Sequence, residues 1–258
     1  MRAESNPRIR FSLLGVNITC HDALSLHANI RDLVQREERG LILNVNVNCL
    51  NLAYENPWLL RFLNEAHLVY SDGAGVQLAA RLLGHAVPPR VTFADWIWDL
   101  AEFCQSQAYS LYFLGARPDI ASRAADVLQR RLPRLQVVGT HHGYFNKLKG
   151  GPENERVVAK INACRPDMLI VGFGMPAQEA WLKDNWPDLD VHVGLTGGAV
   201  FDYVSGALRR PPQWMTNNGL EWFGRLLIEP RRLWRRYLIG NPLFLWRILQ
   251  QRLWPVGG

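Results

Sequence analysis

The chain has 258 residues, 48% of them hydrophobic, and 29 lysines and arginines against 23 acids for a net charge of +6. That length and apolar content suffice for one large α/β domain with a sizeable core and exclude disorder as the main theme. Four scattered cysteines (Cys20, Cys49, Cys104, Cys164) include no Cys-x-x-Cys pair, which argues against a zinc knuckle or a disulfide framework and fits a reducing compartment.

The opening MRAESNPRIR is polar, and the apolar stretch after it is broken by Asn17 and His21, so no signal peptide is expected. Short β-like runs then alternate with amphipathic segments: 41–46, 67–71, 110–115, 135–139, 167–174 and 190–195 read as strands. Asn56-Pro57 reads as an N-cap with proline at the first helical position, opening a helix to about Glu65; Pro118, Pro152 and Pro176 are expected to open three more. Near-continuous apolar strands alternating with helices predict a Rossmann-like open, mostly parallel sheet with helices on both faces.

Ligands of such sheets bind beyond the carboxyl ends of the strands, so the residues following each strand are the candidates. Asn44 and Asn46 follow the first run, Asp72-Gly73 the second, Gly172, Gly174, Gln178 and Glu179 the fifth, and Gly197-Gly198 the sixth. Asp72 reads two ways, as a helix N-cap or as a pocket carboxylate able to take a proton from an attacking hydroxyl. GFGMPA (172–177) satisfies a dinucleotide fingerprint, which keeps an NAD-dependent oxidoreductase open as a rival. The strand that follows ends in Thr196-Gly197-Gly198, however, without the acid that would hold a ribose, so a nucleotide diphosphate on backbone N–H groups is the better reading. Asp188-Leu-Asp190 spells a metal-binding Asp-x-Asp, but it falls in the turn into a strand, at the wrong edge. His141-His142 has no third ligand nearby and reads as a hydrogen-bonded pair. No metal and no cofactor is expected.

The charge is unevenly distributed. From Arg209 onward nine arginines face two acids, Glu221 and Glu229, leaving the first 208 residues at −1; five of the ten tryptophans lie in the same segment. A nucleic-acid-binding chain would share its positive charge with the body, so nucleic acid is not an expected partner. In 231–239, Arg231, Arg232, Arg235 and Arg236 are expected on one helical face and Leu233, Trp234, Tyr237 and Leu238 on the other, the pattern of an interfacial helix on anionic lipid. A helix packing its Trp face on the body is the alternative. No stretch offers the roughly 20 apolar residues of a membrane span.

Several blocks in order resemble the WecG/TagA/CpsF family of glycosyltransferases, which includes xanthan-type glucosyltransferases: YSDGAGVQLAARLLG (70–84), Arg90-Val91 to Asp95, YFLGARPD (112–119), GYF (143–145), PDMLIVGFGMPAQEAWL (166–182), TGGAVFDYVSGALRRPPQW (196–214) and GLEWFGRLLIEPRRLWRRY (219–237). The resemblance runs from about residue 10 to 245. It implies an inverting transfer from a UDP-sugar or related donor to a sugar on undecaprenyl pyrophosphate, at the cytoplasmic face of the inner membrane. Asp72 matches the family's catalytic base, Arg90 a pocket arginine suited to phosphate, and Gln178 and Glu179 the family's Pro-x-Gln-Glu. Asp95 and Asp202 lie in matched blocks as substrate-binding candidates, with Asn44, Asn46, Gly73, Gly172, Gly174, Gly197 and Gly198 beside them. Arg225, Arg231, Arg235 and Arg236 are implied to hold the lipid pyrophosphate. The resulting division is a transferase domain over 1–208 and a basic docking appendage over 209–258, with oligomerisation open. Two departures stand out: Asn44 where many members carry Thr, and Phe93 where they carry Gly. Both are expected to bear on which sugar is transferred. A membrane-associated scaffold that binds nucleotide sugars without turnover remains the non-enzyme alternative.

Overall fold

The computed structural model describes residues 10–85 and 90–254; the polar opening, residues 1–9, lies outside the described residues. A two-stranded hairpin, β1 (Arg10–Leu13) and β2 (Val16–Thr19), comes first. Six further strands follow: β3 (Gly40–Val45), β4 (Leu68–Ser71), β5 (Ser110–Gly115), β6 (Gln136–His141), β7 (Met168–Gly172) and β8 (Val193–Thr196). They form one sheet in the order β4-β3-β8-β7-β5-β6, with parallel pairing at β3–β8, β8–β7, β7–β5 and β5–β6. All six apolar runs of the sequence become its strands, and β3, β5 and β7 are buried at every position, as a sheet covered on both faces requires.

The helices are α1 (Ala23–Gln35), α2 (Val47–Glu55), α3 (Pro57–Glu65), α4 (Ala74–Leu82), α5 (Phe93–Gln107), α6 (Ile120–Arg131), α7 (Pro152–Cys164), α8 (Ala177–Asn185), α9 (Val200–Val204), α10 (Gln213–Asn217), α11 (Glu221–Ile228), α12 (Pro230–Trp234) and α13 (Gly240–Leu253). Pro57 and Pro152 open α3 and α7 as the sequence predicts. Asn56 makes no side-chain cap, its amide donating instead to Leu52 O. α6 starts two residues beyond Pro118, after Asp119 in a left-handed conformation (φ +66°).

The chain forms two compact units. The sheet unit comprises residues 23–44 and 92–210; the interleaved unit is assembled from 10–22, 45–85, 90–91 and 211–254. Phe113 and Phe201 meet in the core of the sheet unit with ring centroids 4.9 Å apart, among Leu111, Ile170 and Leu195. Burying each such side chain contributes about 1.5–3 kcal/mol. Asn154, Asn185 and Trp181 form a closed buried network there. Asn154 Nδ2 donates to Asn185 Oδ1 (2.6 Å), Trp181 Nε1 to Asn154 Oδ1 (2.7 Å) and Asn185 Nδ2 to Trp181 O (2.8 Å), tying α7 to α8.

In the interleaved unit the helical path runs without a gap from Pro230 to Leu253, through a π-helical turn over Arg235–Ile239. Gly240 N donates back to Arg235 O, five residues earlier, just before Pro242, which has no N–H to give. Burial over 231–239 departs from the two-faced pattern expected there. Leu233 and Tyr237 are buried, Trp234, Leu238 and Ile239 are exposed, and Arg236 turns inward while Arg231, Arg232 and Arg235 face out. α13 continues by burying Phe244 and Ile248 and exposing Leu245, Trp246, Leu249 and Leu253. No helix among the described residues is long and apolar enough to cross a membrane.

Candidate active site

In the sheet unit, the turns after β7 and β8 are joined by one side chain. Gln178, wholly buried in the first turn of α8, accepts on Oε1 from Gly174 N (3.2 Å) and Gly198 N (3.1 Å). Its Nε2 donates to Glu179 Oε1 (2.8 Å). Two amides expected to be open to a diphosphate are thus already engaged, and they fix the shapes of both glycine turns. Gly172 must lack a side chain, because a Cβ there would lie 2.8 Å from Gly198 O and 3.0 Å from the Phe201 ring. Glu179 is 1% exposed, and its Oε2 has no hydrogen-bond partner among the described residues. Burial pushes its carboxyl up to about 7, against a smaller opposing effect of the Gln178 hydrogen bond.

Asn44 ends buried in β3, where its Oδ1 accepts from Thr196 Oγ1 (2.9 Å) and its N–H donates to the same oxygen (3.3 Å). That hydroxyl partner on β8 gives the amide in the family's threonine position a structural bond. Phe93, in the family's glycine position, is buried edge-on to Trp96 (5.4 Å) at the start of α5. Asp95, two residues on in the same first turn, forms a bidentate pair with Arg210, Nη2 to Oδ2 at 2.6 Å. Asp202 lies in the first turn of α9, its carbonyl accepting from Leu208 N (3.0 Å). After β6, His141 Nδ1 lies 2.8 Å from His142 O and His142 Nδ1 accepts from Tyr144 N (3.2 Å), the hydrogen-bonded pair the sequence suggested. Burial lowers the pKa of His141, and also that of Lys147, which sits over the Phe145 and Phe173 rings (4.7 and 4.6 Å). Asp188 pairs with Lys149 (2.8 Å) and Asp190 with Arg165 (3.9 Å), ahead of β8. Among the described residues no three His, Cys, Asp or Glu side chains are placed to hold a metal ion.

In the interleaved unit, Asp72 follows β4 and is anchored by its N–H to Val45 O (2.8 Å). Gly73 is the N-cap of α4 and turns the chain at φ +107°, a conformation open to glycine. Asp72 itself is half-buried and stands one residue too early to be the cap. Its charge reaches two neighbours. It adds to the effect of burial in raising Tyr70 well above the ordinary phenol range, and it favours the charged form of Arg236. Burial is nevertheless the largest influence on Arg236 and lowers its pKa; Arg225 and Arg232 act in the same direction. Arg236 Nε is buried with no hydrogen-bond partner among the described residues. Arg90 faces Glu221 across 3.9 Å, both largely enclosed. Asn46 caps α2, accepting from Cys49 N (3.1 Å).

Asp72, Arg225 and Arg236 are thus brought into one electrostatic neighbourhood, with Arg90 held by Glu221 in the same unit. Arg231 and Arg235 face outward. Sequence reasoning missed the partners: Glu221 for Arg90, Arg210 for Asp95 and Thr196 for Asn44. Each lies inside a block quoted above, but which acid meets which base depends on tertiary pairing.

The sequence pattern of the glycosyl transferase WecG/TagA/CpsF family matches residues 11–257. The chain belongs to this family. It is therefore a glycosyltransferase, and the oxidoreductase and non-catalytic scaffold readings give way. Relatives in Staphylococcus aureus strains MRSA252 and NCTC 8325 / PS 47 are each 26% identical over 251 residues, covering 96% of both chains, and one in strain MW2 is 25% identical over the same length. All three are N-acetylglucosaminyldiphosphoundecaprenol N-acetyl-beta-D-mannosaminyltransferases. In the family's Pro-x-Gln-Glu signature, Gln178 is the residue that ties the two glycine turns together.

Proposed function

We propose that this transferase moves a sugar from a UDP-sugar or related nucleotide donor onto a sugar carried by undecaprenyl pyrophosphate, at the cytoplasmic face of the inner membrane, in the assembly of a cell-surface polysaccharide. The observation that carries this reading is Asp72, a half-buried carboxylate following β4 whose charge acts on the inward-turned Arg236. Asp72 takes the proton of the acceptor hydroxyl as that oxygen bonds to the anomeric carbon. The bond from that carbon to the diphosphate breaks with its electron pair, releasing the nucleoside diphosphate and inverting the configuration. In the sheet unit the glycine turns at 172–174 and 197–198, whose shapes Gln178 fixes, are the donor candidates, and in the interleaved unit Arg90 is a candidate for phosphate. Arg225 and Arg236 suit the pyrophosphate of the lipid acceptor, because guanidinium groups bind phosphate oxygens in pairs.

The staphylococcal relatives' name supports the lipid-linked acceptor. A peripheral membrane position is supported by exposed Trp222, Phe223, Leu227, Trp234, Leu238 and Trp246 beside outward-facing Arg231, Arg232 and Arg235. In functional terms, 209–258 acts as the docking appendage and 1–208 carries the donor turns and the base. The test is release of nucleoside diphosphate from a panel of UDP- and GDP-sugars, with and without a short-chain polyprenyl-pyrophosphate-linked monosaccharide. Acceptor-dependent release with one donor is expected; release that ignores the acceptor, or none from folded protein across the panel, overturns the reading.

A further inference from the structure

A cleft of about 1240 Å³ opens in the interleaved unit where the β1–β2 turn, the end of α4 and the end of α13 meet. Its lining is amphiphilic: Leu60, Leu82 and Trp254 supply apolar walls, and Arg81 and Arg252 supply charge, with no acidic residue among the lining side chains. A third arginine, Arg247, is already committed. It pairs with Glu55 (2.7 Å), bonds Asn51 Oδ1 (2.9 Å) and stacks on Tyr54 (4.4 Å). Arg81 and Arg252 are exposed and have no ion-pair partner among the described residues.

The cleft is separate from the catalytic carboxylate. Asp72 precedes the first turn of α4 and Arg81 lies in its last, nine residues on, so about 13 Å of helix divides them. It is continuous instead with the apolar stripe of α13: on a helix surface Leu249 neighbours residues 252 and 253, which places Arg252 beside exposed Leu249 and Leu253.

We propose that this cleft binds the phosphodiester headgroup of an anionic bilayer lipid, Arg81 and Arg252 holding the phosphate while the acyl chains follow Leu249, Leu253 and Trp254. The occupant is set by charge complementarity together with that continuity: a soluble anion would use the arginines and leave the stripe uncovered. This inference rests on the membrane position proposed above and adds to it a headgroup preference exerted away from the reaction centre.

The experiment uses the full chain with vesicles of phosphatidylcholine alone or doped with phosphatidylglycerol. Replacing both arginines (Arg81→Gln with Arg252→Gln) should weaken binding to the phosphatidylglycerol vesicles about tenfold or more. Binding to pure phosphatidylcholine and turnover of a water-soluble short-chain acceptor should not change. A control pair in the sheet unit, Arg36→Gln with Arg130→Gln, removes the same charge from exposed positions and should keep wild-type affinity. Equal losses in both pairs would reduce the effect to net charge and overturn the cleft. So would saturable binding of inorganic phosphate as tight as that of a water-soluble phosphatidylglycerol. Wild-type protein that binds both vesicles equally, with the Arg81/Arg252 variant unchanged, removes the cleft and leaves the membrane position standing. Wild-type protein that binds neither removes both.

Discussion

The two units use buried polar groups differently. In the sheet unit they close on one another: Asn154, Trp181 and Asn185 form a ring of bonds, Gln178 spends its oxygen on two glycine turns, and Asn44 is matched by Thr196. In the interleaved unit Arg236 is turned inward, its Nε unmatched, within reach of Asp72 and beside other cations. A satisfied network makes a rigid frame, whereas a desolvated cation reduces stability until an anion arrives. Both units leave some buried polar atoms unmatched, and the difference is one of charge: the interleaved unit encloses a guanidinium whose neighbours include further cations.

The largest test of that contrast is Asp72→Asn. It should lower turnover by about 10²–10⁴ with donor affinity retained, since it removes a base and leaves the sheet unit intact. Unchanged turnover would strip Asp72 of its role.

Glu179 is an ionisable group of the sheet unit with a buried oxygen unmatched among the described residues, and it gives the next effect. Its proton, held in the folded state up to about pH 7, is released by the unfolded chain near pH 4.5. The stability it confers is therefore complete below about pH 4.5, declines as pH rises through 7 and is level above, a fall of roughly 3 kcal/mol. Glu179→Gln should flatten this slope when urea midpoints are compared across that range; an unaltered slope would mean that Glu179 is ionised in the folded protein.

A smaller effect separates stability from docking. Trp246→Ser with Leu249→Ser, on the exposed stripe of α13, should leave the melting temperature near wild type while weakening vesicle binding by about tenfold. Smallest of all, Arg210→Gln breaks the partly exposed pair with Asp95 and should cost about 1 kcal/mol or less in denaturant titration. A larger loss, or a loss of turnover with stability kept, would move the pair from scaffold to site.

The sheet was readable because its six strands are apolar runs bounded by polar or glycine-rich turns, a local signal. The β1–β2 hairpin was not. Its turn, Leu14-Gly15, places both residues at positive φ (51° and 84°), and leucine is not the residue that announces such a turn. Asp72-Gly73 was readable as a candidate, but only the backbone shows that Gly73 is the cap. The faces of 231–239 were only partly legible: at 3.6 residues per turn Leu233, Tyr237 and Arg236 share one arc of about 100°, and tertiary packing covers that arc rather than the whole apolar half. The partners of Arg90, Asp95 and Asn44 were illegible because they come from distant segments: Glu221 and Arg210 lie more than a hundred residues away, and so does Thr196.

The stitch between Gln251 and the first hairpin carries a consequence for biosynthesis. Gln251 donates to Ser12 O (3.0 Å) and accepts from Leu14 N (3.0 Å), so the hairpin, which Asn64 already holds at Gly15 O and Asn17 N, gains its last bonds from a residue made more than two hundred positions later. The sheet unit is complete once residue 210 has been made; the unit that carries Asp72 waits for α13. On a growing chain the surroundings of Asp72 are therefore the last part of the molecule to be assembled.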